Sequence, residues 1–493
     1  MVYPSFEDFC KKAKKGNLIP VYREILADME TPVSAFLKMN SEEYSFLLES
    51  VQGGEKWARY SFLGVNPSVI FRSKGNTVEV ITDQKKEKWT DVASPLDRLR
   101  DLMAGYRPVK TDGLPRFFGG AVGYLSYDVV RFFEALPDKT TDDLETYDSL
   151  FVITDTILIF DNLKQTLKVV SNVYLTDDSD LKTAYQEAIG KVDSIIVRLN
   201  EPISTKSMQT SDKQPLNITS NFSKEEFEGI VLKAKEHIVA GDIIQVVLSQ
   251  RFQTEAKIDP FNIYRSLRTI NPSPYMFYLK FGDLLMAGSS PEVMVRVEDN
   301  QICLRPIAGT RPRSESPDKD RELEKDLLRD PKEIAEHIML VDLGRNDVGR
   351  VAKIGTVHVN ELMVTEKYSH VMHMVSNVQG VLDGKRDNFD VLRACLPAGT
   401  VSGAPKVRAM EIIEELEPTK RGPYAGAVGY FSFSGNMDFC ITIRTVIIKD
   451  ETIYIQVGAG IVADSQPDKE WTETVNKATA MMKALEMAKS GLG

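Results

Sequence analysis

The chain has 493 residues, of which 42% are hydrophobic and 27% charged, and these proportions exclude a largely disordered protein. A chain of this length can form about two to four domains and bury a core without disulfides. Its 61 Lys and Arg against 71 Asp and Glu give a net charge of −10, which argues against a basic groove for nucleic acid.

The sequence contains no targeting or membrane signal that we can identify. Its first residues, MVYPSFEDFCKKAKKG, lack the apolar stretch of a signal peptide, and no apolar run reaches the length of a membrane span. The four cysteines form no CxxC pair, so we interpret them as reduced thiols. We therefore expect a cytoplasmic protein that does not associate with membranes.

The first predicted region, residues 1–199, mixes short strands and helices. Apolar and β-branched patterns predict strands at 68–73, 76–82 and 150–161, and a helix at 180–200. Residues 200–222 are dominated by Ser, Thr, Asn and Gln, which is typical of a linker or long loop. We predict a boundary there.

A second region, residues 223–493, begins with a strong helix signal. Ser223 and Glu226 form an S-x-x-E capping box, apolar residues follow at helical spacing, and Gly241 is a suitable C-terminal stop. Strands are then predicted, several joined by turns as short as 298–300 and 449–451. Short turns connect antiparallel strands. The prediction is an α+β fold with large antiparallel sheets and helices packed outside.

Two predicted helices each carry an E-x-x-E pair, in which both carboxylates share one helix face. The pairs are Glu333 with Glu336 and, far along the chain, Glu470 with Glu473. Together they could supply the hard oxygen ligands that Mg²⁺ prefers, directly or through water. Spacing alone leaves ordinary alternatives open, namely a capping box at Glu333 and an exposed ion pair of Glu473 with Lys477.

Three other features could carry chemistry. Arg444 lies among apolar residues, so it is either paired internally or available to bind a carboxylate. The segment 396–408 contains two glycines and two hydroxyls before a predicted helix, which suits either an anion site or a plain capping loop. His370 and His373 have the spacing of a zinc pair, but no third ligand is near, so a proton-handling or core histidine is favoured.

Several segments, taken in chain order, resemble one family. They are DIIQVVLSQRF (242–252), NPSPYMFYL (271–279), GSSPE (288–292), RPIAGTRPR (305–313), DPKEIAEHIMLVDLGRND (330–347), LPAGTVSGAPKVRAM (396–410), GPYAGAVGYF (422–431) and GAGIVADSQPDKEWTETVNKA (458–478), with LLESV (47–51) in the first region. Together they resemble the chorismate-utilising enzymes and, among these, the large subunit (component I) of anthranilate synthases. The resemblance implies two large antiparallel sheets with helices outside.

The resemblance also implies a metal and a substrate site. Glu336 and Glu473 would be direct Mg²⁺ ligands, with Glu333 and Glu470 as outer supports. The substrate-binding positions it implies are Gly309, Thr310, Thr400, Tyr424, Arg444, Gly458, Ala459, Gly460 and Lys477. Arg444 would bind the enolpyruvyl carboxylate of chorismate, while Mg²⁺ and Lys477 would bind the ring carboxylate, which explains how an acidic protein accepts a dianion.

The implied reaction is a lyase reaction in two parts. Ammonia adds at C2 of chorismate as the 4-hydroxyl leaves, and pyruvate is then eliminated to give anthranilate, the first step of tryptophan biosynthesis. Glu292 matches the acid that protonates the leaving hydroxyl, so its pKa should be raised. His373 matches an active-site histidine that assists orientation or proton removal in the aromatising step.

Two positions favour this activity over related ones. Water-adding members of the family carry lysine where this chain has Gln245, and glutamine cannot act as a base toward water. Aminodeoxychorismate synthases of the folate pathway often carry lysine where this chain has Ala308, although some lack it. Aminodeoxychorismate synthase component I remains the alternative.

The resemblance further implies feedback inhibition by tryptophan and a partner subunit. Ser50, Pro274, Tyr275 and Met276 match the tryptophan site, whereas core packing and a turn are the ordinary alternatives for these two segments. None of the four cysteines lies in the tight elbow of a glutamine amidotransferase. Ammonia would therefore be free or supplied by a separate glutaminase subunit (component II) in a hetero-oligomer.

Overall fold

The computed structural model describes residues 1–39, 43–51, 59–203, 215–255, 257–368 and 371–492. Two large antiparallel sheets dominate it, with strands numbered here in chain order. The first sheet contains, from edge to edge, β1 (Val2–Tyr3), β2 (Leu18–Leu26), β11 (Thr166–Tyr174), β10 (Thr156–Asp161), β4 (Tyr60–Val65), β3 (Tyr44–Glu49), β14 (Tyr275–Phe281), β15 (Leu284–Ser290), β24 (Thr445–Lys449), β25 (Thr452–Ile461), β13 (Gln245–Glu255) and β12 (Thr219–Ser220), with β21 (Gly403–Ala404) beside β13.

The second sheet is built in the same antiparallel manner. It contains β18 (Ile307–Pro312), β20 (Val371–Val381), β17 (Gln301–Leu304), β16 (Val293–Glu298), β23 (Met437–Ile441), β22 (Ala427–Ser432), β8 (Gly120–Leu125), β9 (Ser149–Thr154), β5 (Val69–Lys74), β6 (Thr77–Thr82) and β7 (Lys86–Trp89), with β19 (His358–Lys367) beside β20. The predicted α+β class with large antiparallel sheets is confirmed.

Helices pack around these sheets. They are α1 (Phe6–Ala13), α2 (Pro32–Met39), α3 (Pro95–Ala104), α4 (Leu181–Leu199), α5 (Lys224–Ala240), α6 (Pro260–Ile270), α7 (Pro317–Leu327), α8 (Pro331–Gly349), α9 (Asn388–Cys395), α10 (Lys406–Leu416) and α11 (Pro467–Ser490). The capping box at Ser223 is present at the start of α5, and Gly241 ends that helix with φ of 83°. In the part of the chain that is described, no helix is long and apolar enough to cross a membrane.

The two predicted regions contribute strands to both sheets. β3 pairs with β14 in the first sheet, and β8 pairs with β22 in the second. The division into 1–199, 200–222 and 223–493 therefore stays a prediction about the chain and does not separate two sheets. Residues 204–214 of the predicted linker, and His370 of the histidine pair, lie outside the described residues.

The main hydrophobic core lies between the sheets. It contains Phe62 and Phe277 from the first sheet and Phe151, Phe439 and Tyr430 from the second. A second cluster covers the other face of the first sheet with apolar side chains of α2, α4, α6 and α11. Because the chain passes from one sheet to the other at β15–β16 and at β23–β24, the residues in these two crossings are held between rigid elements.

Candidate functional site

The two crossings between the sheets carry Glu292 and Arg444. Glu292 lies between β15 and β16, and Arg444 lies between β23 and β24. Hydrogen bonds join the crossings, since the Ile441 N–H donates to the Glu292 carbonyl over 3.1 Å and the Ser289 N–H donates to the Arg444 carbonyl over 3.0 Å. The sheets therefore fix the carboxyl and the guanidinium with respect to each other.

Glu292 is a buried acid. Burial raises its pKa from the usual 4.5 to about 8, although the Thr400 hydroxyl, the Ile307 N–H and the Arg444 charge each lower it in part. The side chain is therefore mostly protonated at neutral pH. That is the state in which a carboxyl group can donate a proton to a leaving group.

Arg444 adopts a left-handed backbone conformation with φ of 50°, which suits a tight crossing. Burial lowers the pKa of its guanidinium, and the nearby Glu292 raises it in part. No ion pair or side-chain hydrogen bond joins this guanidinium to any other residue among those described, so the internal salt bridge considered from the sequence is not found there. A half-buried cation without an internal partner can bind an anion.

His373 lies on β20, opposite Thr310 of β18. Its Nδ1 is 3.0 Å from the Thr310 hydroxyl and 3.1 Å from the Gly309 carbonyl. Burial lowers its pKa, so the ring is neutral near pH 7. A proton on Nδ1, donated to the Gly309 carbonyl, leaves Nε2 free to accept one.

Two glycines of β25 allow Tyr424 and Gln245 to approach the strand closely. A Cβ on Gly458 would lie 2.7 Å from the Tyr424 hydroxyl, and one on Gly460 would lie 2.5 Å from the Gln245 amide nitrogen. Both glycines lie on β25, and Ala459 between them is fully buried in a cluster under α5 and α10. The glycine face of β25 therefore lies against Tyr424 and Gln245.

Gln245 is the first residue of β13, and its side chain contacts Glu336 of α8. Its amide nitrogen is 3.4 Å from Glu336 Oε1, and its own Oε1 is buried without a hydrogen-bond partner among the described residues. An acceptor left unsatisfied in a buried site favours a ligand there.

The four glutamates of the E-x-x-E pairs lie on α8 and α11. Burial raises the pKa of Glu336, and the negative charges of Glu333 and Glu473 raise it further. Lys477 bonds Glu473 Oε1 at 2.7 Å and the Gly458 carbonyl at 3.0 Å. Glu470 also has a pKa raised by burial and by Glu473.

These carboxylates do not form a closed metal centre in the structure. Among the described residues, no group of three or more His, Cys, Asp or Glu side chains is arranged to hold a metal ion. Their chemistry nevertheless fits a hard divalent cation, because they are oxygen donors whose mutual repulsion a cation would relieve.

Arg421 was not identified from the sequence, and it contacts the segments that carry Thr400 and Tyr424 of the proposed substrate site. This fully buried guanidinium donates to the Val401 carbonyl at 2.7 Å and to the Val247 carbonyl at 2.7 Å, and its Nε donates to Glu417 at 2.9 Å. Val401 follows Thr400 in the chain, and Tyr424 lies under the guanidinium at 5.7 Å. Only the spacing of Glu417 and Arg421, four residues apart, was visible in the sequence.

All four residues predicted for an effector site line one cavity. Ser50, Pro274, Tyr275 and Met276 border about 550 Å³ of space that protein atoms do not fill, part of it open to solvent. Apolar and aromatic side chains, including Phe62, form much of its wall. The apolar and aromatic lining suits a small aromatic ligand.

A charged network that was not predicted lies along this cavity. Asp438 accepts a hydrogen bond from the Tyr275 hydroxyl at 2.8 Å and pairs with Arg296 at 2.6 Å and Arg116 at 3.3 Å. Asp438 lies on β23, which leads directly to the crossing with Arg444. The cavity and the candidate active site therefore share a strand.

Comparisons with known proteins agree with this arrangement. Residues 45–483 match the family described as chorismate binding enzyme. Anthranilate synthase component 1 of Acetivibrio thermocellus is 50% identical over 99% of this chain and 99% of that protein. Anthranilate synthase component 1 of Aquifex aeolicus is 51% identical over 487 residues and 98% of both chains.

A solved structure leads to the same family. Anthranilate synthase component I of Streptococcus pneumoniae TIGR4 is 36% identical, with a TM-score of 0.78, and the match covers 93% of this chain and 99% of that one. This chain therefore belongs to the chorismate-binding enzyme family and, within it, to the anthranilate synthase component 1 proteins.

Proposed function

We propose that this chain is a lyase that converts chorismate and ammonia to anthranilate and pyruvate, with Mg²⁺ as cofactor. The observation that carries the proposal is that Glu292, a buried acid with a pKa of about 8, lies near Arg444, whose guanidinium forms no ion pair or side-chain hydrogen bond among the described residues. Family membership supplies the substrate class. We also propose a cytoplasmic location.

The first step needs a proton at a poor leaving group. Arg444 binds the enolpyruvyl carboxylate by charge-assisted hydrogen bonds, and this orients the ring toward Glu292. Glu292 then donates its proton to the departing 4-hydroxyl as ammonia adds at C2. Gln245 occupies the position at which water-adding members of the family carry a lysine. An amide cannot act as a base toward water, so ammonia is the favoured nucleophile.

The second step removes a proton and expels pyruvate. The neutral ring of His373, with Nδ1 held by the Gly309 carbonyl, presents Nε2 as an acceptor or an orienting group for this step. Bound Mg²⁺ would polarise the ring carboxylate and stabilise the charge that develops. Glu336 and Glu473 would hold the ion, with Glu333 and Glu470 supporting them and Lys477 beside the same carboxylate.

The end products test this proposal directly. The purified chain is incubated with chorismate, Mg²⁺ and an ammonium salt, and fluorescence and a coupled pyruvate assay are followed. Fluorescent anthranilate together with pyruvate would support the proposal. A non-aromatic 4-amino product would instead assign aminodeoxychorismate synthesis, and no consumption of chorismate would contradict both.

Loss of one proposed metal ligand should abolish activity. We expect Glu473→Ala to lower the rate at least about a hundredfold, because a direct ligand of the ion is removed. Calorimetry with Mg²⁺ should show weaker binding in the same variant. Glu486→Ala, at an exposed position on the same helix, should change neither quantity. A normal rate in Glu473→Ala would contradict the ligand assignment.

We also propose that the cavity at Ser50 binds tryptophan as a feedback inhibitor. An indole suits the apolar and aromatic wall of this cavity. Inhibition requires an inactive state that tryptophan binds more tightly. The strand shared with the Arg444 crossing provides a physical connection between the two sites.

A bulky side chain in this cavity should remove the inhibition. Ser50→Phe places a ring in the space that the indole would occupy, so tryptophan should bind at least tenfold more weakly while synthesis without tryptophan continues. Inhibition curves and calorimetric titration with tryptophan measure this. An unchanged inhibition curve would show that the effector binds elsewhere.

Ammonia supply is the last part of the proposal. Because the relatives are named as a first component, we propose that a separate glutamine amidotransferase subunit (component II) delivers ammonia in a hetero-oligomer. Glutamine should then support anthranilate synthesis only when that subunit is added, whereas ammonium salts should support it without the subunit.

A further inference from the structure

Arg311 joins three elements at the edge of the candidate active site. It lies on β18, directly after Gly309 and Thr310, and all three nitrogen atoms of its guanidinium are used. Nε donates to Asp326 at 2.7 Å, Nη2 to Asp330 at 2.8 Å, and Nη1 to Glu333 at 3.0 Å. The Arg311 side chain is 18% exposed, and Glu333 is 24% and Asp326 64% exposed, so the contact with Glu333 is better protected from solvent than the contact with Asp326.

These contacts fix the start of α8. Asp330 is the N-cap of α8, and its Oδ1 accepts hydrogen bonds from the backbone N–H groups of Lys332 and Glu333. Its second oxygen accepts the bond from Arg311. Asp326 lies in the last turn of α7. One guanidinium on β18 thus holds the end of α7 and the first turn of α8 in place.

The same guanidinium sets the orientation of the Glu333 carboxylate. Oε1 is bonded to Arg311, and Oε2 lies 3.0 Å from the point where a Cβ on Gly309 would be. The second oxygen is therefore directed at the glycine of the proposed substrate site. A carboxylate whose first oxygen is fixed by a hydrogen bond keeps its second oxygen in a defined position, which pre-organises it for a ligand.

We propose that Arg311 is a positioning residue for the divalent cation, acting through Glu333 and the first turn of α8. This inference rests on the proposed Mg²⁺-dependent function. It makes a prediction opposite to that of simple electrostatics. A positive guanidinium near a cation site repels the cation, so if its charge were its only effect, its removal would strengthen binding. If Arg311 positions the donors, its removal weakens binding.

Two substitutions separate these effects. Arg311→Lys keeps the charge and loses the fork that spans three carboxylates, whereas Arg311→Met loses both. We expect the Kd for Mg²⁺, measured by calorimetry with chorismate and without ammonium, to rise about tenfold in Arg311→Lys and also to rise in Arg311→Met. In a Glu333→Gln background, the further change Arg311→Lys should raise that Kd by a smaller factor than it does in the unchanged protein.

Arg313 provides the matched control. It lies just beyond β18 and also binds α7, since its Nε donates to Asp320 at 2.9 Å, but it contacts none of the four glutamates proposed for the metal site. Arg313→Lys should leave the Kd for Mg²⁺ unchanged. Unfolding midpoints, measured for every variant, separate altered metal binding from general loosening of the helix pair.

The outcomes are distinguishable. A normal Kd in Arg311→Lys, together with tighter binding in Arg311→Met, would assign Arg311 a purely electrostatic effect and overturn the inference alone. An equal loss of affinity in Arg313→Lys would also overturn it, because tethering α7 would then be sufficient. If the unchanged protein showed no saturable Mg²⁺ binding, the metal assignment in the proposed function would fail, and this inference with it.

Discussion

Replacing Glu292 with glutamine should lower kcat by about 10²- to 10⁴-fold, the usual contribution of a positioned general acid. Glutamine matches the shape of the protonated carboxyl group but has no acidic proton for the departing hydroxyl. In the unchanged protein, kcat/KM should fall as pH rises through about 8, because the protonated form of Glu292 is then lost. A pH–rate profile measures this directly.

The same substitution should stabilise the folded protein above about pH 5. The folded-state pKa of Glu292 is about 8, above the ordinary 4.5, so the folded state binds a proton that the unfolded state has released. The contribution of this group to stability is therefore fully present below pH 4.5 and is lost as pH rises toward 8. At pH 7 the free energy of unfolding is lower than at low pH by an amount on the order of 3 kcal/mol because of this group. Glutamine does not ionise, so the variant does not lose this stability.

Unfolding in urea at pH 5 and pH 8 tests whether Glu292→Gln raises the free energy of unfolding. The difference between Glu292→Gln and the unchanged protein should be larger at pH 8. Glu322→Gln, at an exposed position on α7, should affect neither activity nor stability. A variant that retains full activity, or one that is less stable at pH 8 than the unchanged protein, would contradict the role of Glu292 as a buried acid.

Local signals in the sequence were enough to predict much of the fold. The capping box at Ser223 and the stop at Gly241 depend on residues a few positions apart, and the structure contains both of them. Short turns predicted antiparallel sheets. The pairing of β3 with β14 and of β8 with β22 was beyond such reasoning, because it joins segments far apart in the chain.

The sequence also predicted some residues of the candidate site and missed others. Family motifs indicated Glu292, Arg444 and the β25 glycines. The structure places Glu292 and Arg444 at the crossings between the sheets and the glycines on β25, which pairs with β24. Arg311 and Asp438 were not identified, since an ion pair gives no local pattern when its partners are on different elements, and Arg421 was visible only as a residue four positions after Glu417. Arg444 shows the same limit, because the sequence could not distinguish an internal salt bridge from an available cation.

The second large effect that we expect is a loss of folding stability when Arg421 is replaced. Its guanidinium and the Glu417 carboxylate are 1% and 3% exposed and lie 2.5 Å apart, and Glu417 also accepts hydrogen bonds from the Ser249 N–H at 2.8 Å and hydroxyl at 2.9 Å. Arg421→Met would leave a buried carboxylate without its cation and two buried carbonyls without donors. Such changes destabilise proteins by about 3–5 kcal/mol, which urea unfolding at neutral pH would measure.

A double substitution distinguishes loss of the pair from loss of packing. Arg421→Met combined with Glu417→Gln removes both charges but keeps an oxygen for the Ser249 donors, so it should recover part of the stability lost in Arg421→Met alone. Because Arg421 also bonds the Val401 carbonyl next to Thr400, the double variant should still show a raised KM for chorismate. A loss below about 1 kcal/mol in Arg421→Met would mean that water or a neighbouring side chain replaces the guanidinium, since leaving a buried charge unpaired costs more than that.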